Sequence, residues 1–257
     1  MKLTGNTIFI TGGGSGIGRG LAEALHKLGN EVIISGRRLE VLAEVTMANT
    51  GMKSVELNVG DPASIAAVAK KLIAEHPKLN VLINNAGIMI PDAVQGEVDD
   101  DIVTSIITTN LLGPIRMTSA LIDFLKTQPS ATVINVTSGL AFIPLAITAT
   151  YSATKAAIHS YSLSQRYLLK DSSVRVLELA PPYVQTELMG PAQQSDPRAM
   201  PLDEFIAETI KVLGTDADEV LTRRVGFLRD ETGRGDYSFT TKFNDMMAER
   251  NDALLTH

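Results

Sequence analysis

Tyr151 and Lys155 form the spacing with the clearest chemical meaning in the chain. Four residues apart on a helix, both side chains project from one face. A phenol with an ordinary pKa of about 10 is too weak an acid for efficient proton transfer at neutral pH. A neighbouring ammonium favours the phenolate and lowers that pKa. Ser138 precedes the pair, and its hydroxyl can hold a substrate oxygen against the tyrosine. Negative charge grows on oxygen as hydride reaches a carbonyl carbon, so donors placed there stabilise the transition state. Singly, each residue has a plainer reading: a packing tyrosine, a solvated lysine, a turn serine. Their joint spacing points to proton transfer at a carbonyl or alcohol oxygen.

A second cluster reads Thr11-Gly-Gly-Gly-Ser-Gly-Ile-Gly18, between an apolar run and a helical pattern. Glycines there let the backbone approach a pyrophosphate, and the helix N-terminus supplies free N–H groups and positive potential. Gly12, Ser15, Gly16, Ile17 and Gly18 are therefore candidate dinucleotide contacts. The Gly-Lys-Ser/Thr ending of a P-loop is absent, which disfavours a nucleotide triphosphatase.

These residues need a scaffold, and the apolar pattern supplies one. Strands are expected at 7–11, 31–35, 54–58, 80–84, 131–136 and 174–179. Helices are expected at 16–28, 39–49, 62–76, 99–127 and 151–169, with Asp61 and Pro62 opening the third and Gly113-Pro114 bending the fourth. The strands are near-continuous apolar runs, as when helices cover both faces of a sheet. The alternation implies an α/β, doubly wound parallel sheet of Rossmann-like type, in three layers and a single domain over 1–257. Residues 187–204, rich in Pro, Gln and Gly, read as a candidate lid over the substrate.

Four segments follow in order along the chain: Asn84-Asn85-Ala86-Gly87, Asn110 in Asn-Leu-Leu-Gly, Tyr151-Ser-Ala-Thr-Lys155, and Pro181-Pro-Tyr-Val-Gln-Thr186. Together with the Gly12/Gly16/Gly18 spacing and Ser138, they resemble the short-chain dehydrogenase/reductase family over residues 5–190 or so. The resemblance implies that Asn110, Ser138, Tyr151 and Lys155 are catalytic. Lys155 would also hold the nicotinamide ribose, and Asn110 a water in a proton relay. It implies that Asn85, Ala86 and Gly87 line the adenosine side, that Pro181, Val184 and Thr186 contact the nicotinamide end, and that Met89 and Met189 flank the substrate. It implies at least a homodimer, pairing the helices at 99–127 and 151–169.

The acidic residue that would bind an adenosine ribose 2′-hydroxyl and select NAD is missing: the second strand ends Ser35-Gly36-Arg37-Arg38. Guanidinium groups suit a 2′-phosphate, so NADP(H) is expected over NAD(H), with Ser15 adding a hydrogen bond. The alternative is that Arg37 and Arg38 pair with Glu40 or Glu44. Three features depart from the family pattern. Asn58-Val59 stands where Asp-Val is usual, Pro182 replaces a glycine, and the tail at 215–257 reads as helical, without the usual closing segment. The tail and the Pro-Pro-Tyr-Val-x-Thr variant resemble a narrower branch, which includes the oxidoreductase of the lipoteichoic-acid D-alanylation gene cluster.

Composition narrows the classes. With 23 Lys+Arg against 29 Asp+Glu, the net charge of −6 argues against a nucleic-acid surface. The absence of Cys removes disulfides and thiolate chemistry. The four histidines show no metal-ligand spacing, so no metal is expected and His159 reads as a core or surface residue. No run approaches a membrane span, and the apolar stretch near the N-terminus is too short for a secretion signal. The cytoplasm is therefore the expected compartment. The expected reaction is hydride transfer between a nicotinamide and a ketone or secondary alcohol, hydrophobic because 140–147 is mainly apolar. An epimerase or dehydratase would need a substrate domain after the sixth strand. A nucleotide-sensing regulator would have no need of both Tyr151 and Lys155.

Overall fold

In the computed structural model, the described residues are 1–92, 94–230, 239 and 242–247. Seven parallel strands form one sheet in the order β3-β2-β1-β4-β5-β6-β7. They are β1 (Thr7–Thr11), β2 (Glu31–Gly36), β3 (Lys53–Glu56), β4 (Leu79–Asn84), β5 (Ala131–Val136), β6 (Val174–Ala180) and β7 (Glu219–Leu221). The helices are α1 (Gly16–Lys27), α2 (Leu39–Ala48), α3 (Pro62–Glu75), α4 (Asp100–Ile107), α5 (Gly113–Lys126), α6 (Ala149–Leu168), α7 (Leu202–Leu213) and α8 (Arg223–Asp230).

Period-2 alternation sends Ile8, Ile10, Ile34 and Ile83 into one core with Leu21 and Leu25 of α1 and Phe205 of α7. Phe9, Ile33 and Val133 enter the opposite core with Leu72 of α3 and Leu121 of α5. Both faces are buried, which is why the strands read as unbroken apolar runs. The strand order reverses at β1, which pairs with β2 on one side and β4 on the other. Ligands of such sheets bind at the carboxyl ends beside that reversal.

Five differences from the sequence reading have local causes. A seventh strand exists although the tail reads as helical. It is three residues long, and only its pairing with β6 through Leu179 and Val220 makes it a strand. β3 ends at Glu56, before Asn58. The 99–127 helix is two helices joined by a π turn at Thr108–Leu112, next to Pro114, which has no N–H to continue the α ladder. α6 starts at Ala149, before Tyr151, because Asp92 of a distant loop accepts from Ala149 N and Thr150 N, both at 2.7 Å. Residues 202–204 of the expected lid are the first turn of α7, and a 3-10 turn occupies Pro191–Ser195. Of the tail at 215–257, residues 231–238, 240, 241 and 248–257 lie outside the described residues.

Candidate active site

The turn from β1 into α1 builds the floor of the site. Gly12 and Gly16 have φ of 68° and 51°, a region that side-chain-bearing residues rarely adopt. A Cβ on Gly18 would stand 2.2 Å from the Gly12 carbonyl oxygen and 2.4 Å from Asn85 Nδ2. That closeness is a fit in itself, since Asn85 Nδ2 donates to the carbonyls of Thr11 and Gly12 at 3.0 Å. The hydroxyl of Thr11 accepts from the backbone N–H groups of Asn85 and Ala86. The glycine turn and the Asn84–Gly87 segment are thus locked together across β1 and β4. Asn84 sits behind them and donates to Thr118 and Asn135, both at 2.9 Å.

A cavity of about 500 Å³ runs over this floor. Gly12, Ser15, Gly16, Ile17 and Gly18 line it, as do Arg37 and Arg38 after β2, Asn58 and Val59 after β3, and Asn85, Ala86 and Gly87 after β4. At the other end it is lined by Ser138 after β5, Tyr151 and Lys155 on α6, and Pro181, Val184 and Thr186 after β6. Backbone that comes so close, beside the N-terminus of α1, fits a dinucleotide phosphate. Arg37 and Arg38 are exposed, and among the described residues no ion pair holds either of them. Glu44 instead pairs with Arg19 at 2.9 Å.

Tyr151 and Lys155 are both buried, 5% exposed each. Lys155 Nζ donates to the Val136 carbonyl at 2.8 Å and lies 5.5 Å from the centre of the Tyr151 ring. Burial pushes the tyrosine up to about 12, and the Ser138 hydroxyl donating toward it acts weakly in the other sense. Burial also pushes Lys155 down to about 8. The sequence reading has the ammonium lowering the phenol pKa; here desolvation dominates both groups. Ser138 accepts from Leu140 N at 3.1 Å, which orients its hydroxyl at the start of the following turn.

Asn110 does not line the cavity. Its side chain accepts from Ile88 N at 2.9 Å and donates to Ile88 O at 2.8 Å, so it pins the backbone just after Gly87. Three features escape the sequence reading. Ile88 and Ile90 line the cavity beside Met89. Gln193 is buried and donates to Val184 O at 2.7 Å, holding the loop that carries Thr186. His159 Nδ1 lies 2.7 Å from Glu178 Oε2, and Thr137, next to Ser138, donates to Glu178 Oε1 at 2.7 Å. Glu178 is fully buried on β6. Tertiary folding thereby brings His159, Glu178 and Glu219 within 4.8 Å of one another, a grouping no spacing reveals. Arg229 donates to Glu219 at 2.9 Å, so the group is an ion-pair network.

A family model described as short chain dehydrogenase matches residues 6–197. An uncharacterized oxidoreductase, DltE, of Bacillus subtilis (strain 168) is 39% identical over 255 residues, 98% of this chain and all of that protein. The 3-oxoacyl-[acyl-carrier-protein] reductase FabG of Escherichia coli (strain K12) is 31% identical over 77% of this chain and 81% of its own. Among solved structures, a short chain dehydrogenase from Burkholderia cenocepacia J2315 in complex with NADP superposes with a TM-score of 0.82. It is 26% identical, covering 94% of this chain and 98% of that one. A 3-ketoacyl-(acyl-carrier-protein) reductase from Brucella melitensis complexed with NADH gives 0.75 at 27% identity, over 84% and 93%. The chain is therefore an NAD(P)-dependent oxidoreductase and belongs to the short-chain dehydrogenase/reductase family.

Proposed function

We propose that the protein is an NADP(H)-dependent carbonyl reductase and secondary-alcohol dehydrogenase, with Tyr151 as the acid in reduction and the base in oxidation. The observation that carries this reading is the convergence of Ser138, Tyr151 and Lys155 at one end of the cavity whose other end is the glycine cradle. When bound, the nicotinamide supplies or accepts the hydride. Ser138 donates to the substrate oxygen and holds it against the Tyr151 hydroxyl, and Tyr151 delivers the proton as negative charge develops there. Lys155 holds the ribose and replenishes the proton. Asn110 supports the relay by fixing the backbone at Ile88.

Arg37 and Arg38, exposed and unclaimed by Glu44, support a 2′-phosphate and hence NADP(H), with Ser15 beside it. The charged residues lining the cavity, among those described, are Arg37, Arg38, Lys155 and Glu187. The two arginines follow β2, which β1 and β4 separate from β5 and β6, and Lys155 is assigned to the ribose, so an anionic substrate finds no other cation among the described lining residues. Met89, Ile90 and Leu188 line the cavity as well, which favours a neutral, hydrophobic ketone. Residues 187–201 form the cover. A single domain, at least a homodimer, without nucleic-acid or membrane partners and working in the cytoplasm, completes the proposal. No helix among the described residues is long and apolar enough to cross a membrane.

A panel of neutral ketones with NADPH, followed by absorbance of the reduced nicotinamide, tests the reading. Turnover is expected, and Tyr151→Phe should lower kcat by about 10²–10⁴-fold, the range of general acid catalysis. Cofactor affinity should stay unchanged, since only a hydroxyl is lost. A Tyr151→Phe enzyme keeping more than about a tenth of kcat means another group donates the proton.

A further inference from the structure

The chain beyond β7 returns to the substrate side of the sheet and packs onto it in three places. α8 buries Val225 and Leu228 against Gly139, one residue after Ser138; a Cβ there would stand 2.8 Å from each of those side chains. Arg229 pairs with Glu219 at 2.9 Å and lies 5.1 Å from the Phe142 ring centre. Farther on, Asn244 grips the loop before α6 with both ends of its amide. Ala146 N donates to its Oδ1 at 2.6 Å, and its Nδ2 donates to Pro144 O at 3.0 Å. On either side of Asn244, Phe243 and Met247 pack onto the apolar cluster that contains Tyr151, Met89, Leu145 and Met189. Phe243 also packs onto the neighbouring cluster of Phe142 and Val225, so it spans the two.

We propose that Phe243 and Met247 form the outer wall of the substrate subsite, and that they select an uncharged carbonyl compound by contact with its apolar substituent. This rests on the reductase reading above and extends it to part of the chain outside the family-model match. Tyr151 fixes where the carbonyl oxygen must sit in this reading; Met89 and Leu145 share its buried apolar cluster, and Met189 packs against that cluster as Phe243 and Met247 do. A substituent leaving the carbonyl carbon on this side runs toward Phe243 and Met247. Methionine side chains adapt to varied shapes, so this wall accepts flexible alkyl groups and penalises charge, which would lose its hydration without a partner. Asn244 is a positioning residue: its paired backbone bonds hold the wall at the loop that leads into α6.

The experiment uses the full chain with NADP⁺ bound and the methyl ketones 2-butanone, 2-hexanone and 2-octanone. Titration calorimetry reads affinity, and NADPH oxidation reads kcat and KM. In the native enzyme, affinity should rise with chain length. Phe243→Ala should weaken 2-octanone about tenfold, the scale of one or two methylenes returned to water, while changing 2-butanone less than about twofold. Met247→Ala should act in the same direction, and Phe243→Leu should restore most of the loss. A purely structural role would lower Tm and leave the chain-length dependence intact. Equal losses for short and long ketones, in either alanine variant, overturn the proposal, as does a native enzyme indifferent to length. If 2-octanone binds in a Phe243-dependent way but is never reduced, the reductase reading fails and the wall stands. If all three ketones are reduced and the length dependence survives both truncations, the wall fails and the reductase reading stands.

Discussion

In the proposed mechanism Lys155 must be cationic to serve a phenolate and a ribose, yet it is buried with its ammonium on the Val136 carbonyl. Burial pushes it from 10.5 down to about 8, so below about pH 8 it is protonated in folded and unfolded chains alike and the cost of burying the charge is fully present. As pH rises from about 8 to 10.5, the unfolded chain holds the proton that the folded one releases, so this group's cost shrinks. Tyr151 works in the opposite sense: its contribution is full below its ordinary value of 10 and is lost as pH rises toward about 12. Lys155→Met should therefore raise Tm at neutral pH, by at most about 3 kcal/mol in stability, while removing turnover. Thermal melts at neutral pH check the sign, and a Lys155→Met protein that melts below the native one contradicts it. Arg37 makes the companion prediction. Arg37→Ala should weaken NADPH by the worth of a charge-assisted bond, about 1.5–3 kcal/mol, and NADH little. Steady-state KM values for both cofactors decide it, and equal losses remove the 2′-phosphate assignment.

At the scale of elements, the β1–α1 turn is the tightest constraint. Gly18 lies in the first turn of α1, and its Cα faces the Gly12 carbonyl and Asn85 Nδ2 so closely that a methyl group has no room. Backbone and a buried amide cannot step aside as a flexible side chain could. Gly18→Ala should weaken NADPH at least about tenfold, because relieving the clash costs about 1–3 kcal/mol of overpacking and moves the phosphate cradle. Gly226→Ala is the matched control: it too lies in a helix, no described residue is within 4 Å of its Cβ position, and the gain over glycine is about 0.5–1 kcal/mol. Fluorescence titration of NADPH with both variants separates a steric effect from a general one. Helix α6 shows how remote residues set an element's start. Asp92 caps α6 through two backbone N–H groups, which puts Tyr151 inside the first turn.

At the scale of the whole molecule, α6 carries the proposed catalytic pair on one face and an unburied stripe on the other. Tyr151, Lys155 and Ile158 point inward, while Ala156, Ser160 and Ser164 are exposed beside Leu163 and Tyr167. Tyr167 is 68% exposed and Leu163 44%, and small residues between them allow close approach of a second helix. We propose that a self-complementary interface, in which α6 and the helices at 99–127 pair across a two-fold axis, buries this stripe. Light scattering at micromolar concentration should report at least a dimer, and Tyr167→Glu should shift it toward monomer while leaving the fold intact. A native monomer under those conditions removes the interface.

The chain's own order of residue types determined the scaffold and most of the cavity. Apolar runs buried on both faces must be parallel strands, and glycines at a strand end must be where backbone closes on backbone or ligand. The Tyr151/Lys155 interval on a helix and the arginines after β2 were legible for the same reason: each depends on neighbours within a few residues. What tertiary structure decided are the interactions between distant segments. β7 is a strand because β6 offers it hydrogen bonds. Asn110 holds the Ile88 backbone, outside the cavity, and Glu178 finds His159 and Thr137 only when β6, α6 and β5 are side by side. The pKa values of Tyr151 and Lys155 belong here too. Spacing shows that an ammonium is near a phenol, but the depth of burial, set by everything packed around them, determines which protonation state each one favours.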